Sequence, residues 1–447
     1  MIPMISQVGA LLVGVSIFIL GVGLLNTILA LRANLEGYSD FIIGLIMSCY
    51  FVGFFIGTYV ALPLVKRMGH IRAFAACASV ASACVLLHQL VVDPFVWMGI
   101  RVLTGIALVI LYTVIESWLN GQTPAEHRGK VFAVYMSVNL GSLALAQQLL
   151  RLDPTITFTL FALSSVLLSL SLVPITWTRM QQPQINNVSK IELKQLWRKA
   201  PVAVTAAFVS GISMGAFWGL APSYAVHTGM SNTQVASFIT CAVLGGAACQ
   251  IPLGRLSDKQ DRRLVMMLIC IFASLFAGAL IAVGSNGYGP FALIAAFGGM
   301  AFAVYPVAMA HMVDHLEPGD MLAGGSGMLL LHGIGAMLGP TVAGQLMQFL
   351  QPSYLPGFWA AAHLLLALTA GWILYTNRKE DPEEHAADFV PMVRTTPTAL
   401  EMLPGEEQGE LFEGQVPVWG HEPEADTEAE AGNDADADDN PPKAAAQ

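Results

Sequence analysis

The sequence predicts an all-α membrane protein of twelve transmembrane helices in two pseudo-symmetric six-helix bundles, and three observations carry that prediction. Hydrophobic residues make up 55% of the 447 positions and charged residues 12%, with a mean hydropathy of +0.61, an imbalance foreign to water-soluble domains. Apolar stretches long enough to cross the hydrocarbon core, about 20 residues at 1.5 Å rise each, recur twelve times between Ile5 and Thr376. A short signature, a glycine or proline followed by clustered charges, returns about 192 positions later, as duplication of a six-helix unit would produce.

In the first half, span one (6–31) carries Asn26. No basic segment precedes it and it exceeds the ~7 to 15 residue apolar core of a signal peptide, so it is read as a retained helix. Span two (41–65) carries Tyr50 and runs into Pro63-Leu-Val-Lys66-Arg67-Met-Gly69-His-Ile-Arg72; span three (71–92) carries His88. Span four (95–119) places Arg101, Thr104, Leu108 and Tyr112 on one helical face. An intramembrane arginine costs about 2.5 to 3.5 kcal/mol on insertion scales and faces protein or water, often marking a solute path; the alternative is one that snorkels to the helix end. Glu116 lies about 22 Å further along the same helix, out of reach of Arg101. Its expected partners are Lys66, Arg67 and Arg72, an ion pair that would hold one end of the molecule in one state and break in the other; a solvated glutamate at a helix end is the plainer reading. Span five (130–150), preceded by Thr123-Pro-Ala-Glu126-His-Arg128-Gly129, carries Asn139 and Gln147, and span six (154–177) closes the half.

The second half repeats the plan. Span seven (201–226) carries Trp218 and span eight (234–256) carries Gln250, followed by Gly254-Arg-Leu-Ser-Asp258-Lys259-Gln-Asp261-Arg262-Arg263. Asp258 with Arg262, joined by Asp314 at the end of span ten (288–312), reads as a latch matching that of the first half. Span nine (263–284) lies between; Tyr305 sits in span ten. Glu317-Pro-Gly-Asp320 leads into span eleven (322–350), where His332 precedes Gly335 by a turn and Gly339 by two, and Asn139 holds nearly the corresponding place in the first half. Histidine, with an ordinary pKa of ~6.5, suits proton exchange near neutrality, although a lone membrane histidine also serves as a hydrogen-bonding partner between helices. Gly333, Gly335 and Gly339 are expected to let helices approach, and Pro340 to remove a backbone hydrogen bond where bending would help rocking. Span twelve (354–377) carries His363.

The connections assign orientation. One set holds Lys66, Arg67, Arg72, Arg128, Lys130, Arg179, Lys190, Lys194, Arg198, Lys199, Arg255, Lys259, Arg262, Arg263, Arg378 and Lys379; the opposite set holds only Arg32 and Arg151. By the positive-inside rule both termini are cytoplasmic in an inner (plasma) membrane. Residues 380–447 are different in kind: 19 acidic residues stand against Arg394 and Lys443, a balance of −17, while residues 1–379 hold 19 basic against 12 acidic, +7, and together they give the chain's −10. The expected organisation is a first bundle (1–178), a cytoplasmic linker (179–200), a second bundle (201–379) and an acidic disordered cytoplasmic tail (380–447), its stretch 422–439 too poor in apolar residues to fold. The six cysteines lie in predicted spans without metal-type spacing and read as packing residues.

These features together resemble the major facilitator superfamily over about residues 5–377. Gly254 to Arg263 looks like its loop motif between the second and third helix of a half, and Arg101-Val-Leu-Thr-Gly105 like its fourth-helix arginine motif. Glu116-Ser117-Trp118-Leu119-Asn120, Gly298 to His311 and Gly333 to Pro340 resemble its YcaD-like bacterial inner-membrane branch. The chain departs from the pattern at Pro63, Lys66 and Asp261 in the loop motifs, and at Ala146-Gln147 in span five, where antiporters of the superfamily usually carry Gly-Pro; a drug-antiporter reading is weakened accordingly. The resemblance implies the major facilitator fold, a cavity walled by spans one, two, four, five, seven, eight, ten and eleven, and peripheral spans three and twelve, which makes His88 and His363 structural. On those walls the candidates for substrate or coupling are Arg101, Tyr112, Asn139, His332, Asn26, Trp218 and Tyr305; for gating, Glu116, Lys66, Arg67, Arg72, Asp258, Arg262 and Asp314. Tyr50, Gln147 and Gln250 are further residues able to orient a solute.

No phosphate-cradling loop, nucleophile motif or metal-ligand cluster is found, so no enzyme, cofactor or metal is expected, nor a nucleic-acid partner. The expected function is a secondary active transporter moving a small organic solute by alternating access, with a proton as the coupling ion. The alternative is a transport-inactive receptor or scaffold recruiting a protein partner through its tail.

Overall fold

Capping side chains set where the helices begin. Ser39 accepts from the Ile42 amide, Asp93 from the amides of Phe95 and Val96, and Ser231 exchanges bonds with Gln234 in a capping box, each satisfying donors that a helix start leaves open. Between the second and third helices the chain turns at Gly69, whose φ of +82° suits a residue without a Cβ. The structure, a computed structural model, describes residues 2–153, 156–177, 193–283, 287–317, 320–376, 389–392, 396, 399 and 402.

The first bundle contains α1 (Ile2–Leu35), α2 (Asp40–Met68), α3 (His70–Leu90), α4 (Pro94–Gln122), α5 (Arg128–Gln148) and a sixth span in two pieces, α6 (Phe158–Leu170) and α7 (Leu172–Trp177). A short α8 (Leu193–Lys199) leads into the second: α9 (Pro201–His227), α10 (Asn232–Lys259), α11 (Arg262–Val283), α12 (Gly289–Asp314), α13 (Met321–Phe349) and α14 (Leu355–Thr376). Twelve spans are thus present among the described residues, with no strand. Several run past their predicted ends, α4 by three residues and α10 to Lys259, because a helix continues into the polar interface after its hydrophobic stretch has finished. The sixth starts later than expected, at Phe158.

The duplication is visible in how backbones touch. Gly53 of α2 lies against the Val102 backbone of α4, and Gly105 of α4 against Tyr50 of α2; in the second half Gly245 of α10 meets Ala295 of α12, and Gly298 of α12 meets Ala242 of α10. A Cβ at any of the four would run into main-chain atoms, so these are seams of small residues. Gly335 and Gly339 of α13 lie in the same way against Phe208 and Ile212 of α9. Gly333 does not: nothing stands within 4 Å of where its Cβ would be, because two residues along a helix are about 200° around it.

The halves meet at the end opposite the basic loops. There Gly44 of α2 packs on the Pro340 backbone of α13, and Thr341 donates to Ser48 at 2.8 Å. Gln148 donates to Thr240 (2.6 Å), Arg151 to Ser237 (2.7 Å), and Ser223 to the buried Asp40 (2.9 Å). At the basic end the described tail residues depart from the expected disordered tail: Met392, Thr396, Ala399 and Met402 are buried, not splayed into solvent. The linker positions Arg179 and Lys190, then Arg378, Lys379 and the stretch 422–439, lie outside the described residues.

Candidate functional site

Arg101 is carried to the middle of the bundle by α4 and is 1% exposed. Its Nη2 donates to Asn26 Oδ1 of α1 at 3.0 Å, and its guanidinium carbon stands 4.5 Å above the Tyr50 ring of α2. One cation is thereby held by a polar and an aromatic side chain from two other helices, an arrangement that fixes the plane of the guanidinium as well as its position. Arg101 borders a cavity of about 150 Å³ between the two halves.

Every one of the seven residues expected to meet solute or coupling ion lines this cavity: Asn26, Arg101, Tyr112 and Asn139 from the first half, Trp218, Tyr305 and His332 from the second. Tyr50 joins them, while Met47, Met214 and Phe302 supply apolar wall. Asn139 donates to the Tyr135 carbonyl at 2.9 Å. Ser210 Oγ is 3.1 Å from His332 Nδ1, and the Tyr305 ring lies with its centre 4.7 Å from that of His332. Walls therefore come from α1, α2, α4, α5, α9, α12 and α13, but not from α10, the eighth span, which was expected to contribute. Gln250 of α10 stands behind the wall, donating to the carbonyls of Phe302 and Met392 at 3.2 Å each. Gln147 is also displaced from the cavity, taking a hydrogen bond from Thr27 at 2.6 Å. His88 and His363 are buried on α3 and α14, bonded to the carbonyls of Cys84 and Trp359.

The gating candidates fall into two groups. In the second half Arg262, 1% exposed, reaches Asp314 at 2.6 Å through Nε and Asp258 at 2.9 Å through Nη1, joining the loop motif to the end of α12. Beside it, burial alone would raise the Asp261 carboxyl, but hydrogen bonds from Arg263 and its charge outweigh burial and hold it below the usual carboxylate range. In the first half Lys66, Arg67 and Arg72 border a separate depression with Gly69 and Ile71. The anticipated pairing of Glu116 with them is not formed. Glu116 is wholly buried, accepting from the Tyr135 hydroxyl at 3.0 Å, from the Thr396 amide at 2.9 Å, and from the Thr396 hydroxyl. The reason is depth: six residues remain in α4 after Glu116, which keeps its side chain inside the bundle while the basic residues stand exposed beyond it.

Tyr135 was legible in principle, since it precedes Asn139 by one helical turn and shares its face. Thr396 and Met392, which also lines the cavity, belong to the stretch 389–402, which is half apolar and holds one acidic residue, Glu401; that local signal is hidden when the acidic tail is averaged as one segment. Among the described residues no group of three or more histidine, cysteine or acidic side chains is placed to hold a metal.

The family profile described as Major Facilitator Superfamily matches residues 11–224 and 203–403. Proteins described as the uncharacterized MFS-type transporter YcaD, from Salmonella newport and Salmonella typhi, are 31% identical over 352 residues, 76% of this chain and 88% of theirs. Among solved structures, the nucleoside transporter NupG aligns with a TM-score of 0.70 at 12% identity, covering 84% of this chain and 100% of NupG. A bacterial homolog of the human lysosomal transporter Spinster, in an inward-facing and unoccupied conformation, aligns at 0.63 and 15% identity, covering 93% and 99%. At these identities the two structures speak to the fold.

Proposed function

The chain belongs to the major facilitator superfamily and is a multi-pass membrane transporter, and from that premise we propose a secondary active transporter that moves a small organic solute across the inner membrane by alternating access, coupled to protons, with both termini in the cytoplasm. One observation carries the reading: a cavity between the two halves, closed at one end by direct contacts between them, that gathers Arg101, Asn26, Tyr50, Tyr305 and His332 at mid-depth. A site reached from one side at a time is what alternating access requires.

With the basic end cytoplasmic, the conformation is inward-facing. Arg101 orients a polar or anionic group of the solute, Trp218, Tyr305 and Tyr112 supply faces for its apolar part, and His332 carries the coupling proton. Arg262, drawn between Asp258 and Asp314, ties the loop motif to the end of α12 within the second bundle, so that its cytoplasmic end moves as one body. Rocking of one bundle against the other then breaks the contacts now closing the far end and brings the two loop motifs together as the cytoplasmic latch.

Purified protein in proteoliposomes tests this with a panel of radiolabelled organic solutes, with and without an imposed pH gradient. The expected result is saturable flux of at least one solute, accelerated when the gradient is applied and slowed by His332→Ala. Flux indifferent to the gradient removes proton coupling. No flux across the panel, together with stoichiometric capture of a cytoplasmic protein by residues 380–447, favours the receptor reading.

A further inference from the structure

The segment beyond the last helix bonds to both halves of the transporter. Glu116, which takes the amide and hydroxyl of Thr396, belongs to α4 of the first bundle. Gln250, which donates to the Met392 carbonyl at 3.2 Å, and Asp258, which accepts from the Phe389 amide at 3.1 Å, belong to α10 of the second. The ring of Phe389 sits on Gly254, where a Cβ would collide with it. Met392 reaches the wall of the solute cavity, and Ala399 and Met402 are fully buried.

We propose that this segment, through Phe389, Met392, Thr396, Ala399 and Met402, is an autoinhibitory plug that occupies space between the bundles at the basic end and holds the transporter in the present conformation. The inference rests on the alternating-access reading above. Closing that end brings the bundles together across the space the segment fills, so the segment has to leave before the cycle proceeds. Two of its contacts also engage the gate itself. Asp258 is shared between Arg262 and the Phe389 amide, and Gly254, the small residue that opens the loop motif, serves as the seat of a phenyl ring. Among the described residues Glu116 receives only neutral partners in this arrangement, Tyr135 and Thr396. A ligand favours the state it binds, and here the ligand is covalently attached, so its local concentration is high without any partner being present.

The test uses labelling rates, which need no knowledge of the solute. In a full-length chain with its six cysteines replaced, Met392→Cys is compared with Ala444→Cys for reaction with a water-soluble maleimide in detergent. Expected is reaction about tenfold slower or more at residue 392; Asp258→Ala with Gln250→Ala, which removes two of the docking bonds, shifts the docked population about tenfold and restores the rate. A second pair of proteins reports the consequence: Thr240→Cys, in the contacts closing the far end, is labelled in intact cells with and without deletion of 389–402. Deletion raises that labelling severalfold as the far end gains access to its open state. Equal rates at 392 and 444 overturn docking, and an unchanged Thr240→Cys rate on deletion overturns inhibition. Because neither measurement involves flux, a failure here leaves the transport reading standing, and an absence of flux leaves the plug standing.

Discussion

Arg101 shows how much geometry a single side chain can require. Its charge is placed by a hydrogen bond to Asn26 and by the face of Tyr50, and a planar guanidinium can satisfy both at once. A lysine keeps the charge but loses the fork and the stacking plane. Arg101→Ala is expected to insert in the membrane at near wild-type levels and lose about 100-fold or more in flux, and Arg101→Lys to recover less than a tenth of the difference. Flux assays on protein matched by fluorescence-detected size exclusion check both, and wild-type flux in the alanine variant would remove Arg101 from the site.

At the scale of helices, the closest contacts are seams where small residues let backbones touch. The α9–α13 seam is formed by glycines of α13 lying on α9 backbone at Phe208 and Ile212. Gly335→Ala forces the two helices apart and is expected to cost about 1 to 3 kcal/mol. Gly333→Ala, on the same helix and two residues away, meets open space and is expected to be neutral or to stabilise by up to about 1 kcal/mol through helix propensity. Thermal unfolding in detergent distinguishes them, and equal effects would mean that the seam does not bear on these glycines. The contrast follows from helical phase, since the sequence shows all three glycines in one cluster.

For the whole molecule the present conformation is defined by what joins the halves and where. The Ser48–Thr341 hydrogen bond, 2.8 Å long, spans α2 and α13 across the closed end. Cysteines at both positions, in a background without the native six, are expected to form a disulfide under mild oxidation, since side chains already in hydrogen-bond contact are near the required Cβ separation of about 3.5 to 4.5 Å. The cross-link should abolish flux and reduction should restore it. Undiminished flux in the oxidised protein would show that the two halves need not separate there.

The twelve spans, their grouping in two halves and the pairing of polar residues to a cavity are properties of the sequence itself. Bilayer thickness fixes the length of each apolar run, burying a charge in hydrocarbon is costly, and a duplicated loop motif marks its own period; all three act locally and leave a local trace. Thus Asp258, Arg262 and Asp314 were found together as expected, and the seven cavity residues line one space. What only tertiary structure decided are the relations that depend on rotation and depth. Glu116 is turned inward to Tyr135 rather than outward to Lys66, Arg67 or Arg72, Gln250 stands behind the wall, and Gly333 misses the seam. The docking of Phe389, Met392 and Thr396 is the plainest case. Two of its contacts are made by backbone amides and one by a backbone carbonyl, groups that every residue but proline carries in full, so where the apolar stretch 389–402 docks is decided by backbone geometry that no side-chain pattern announces.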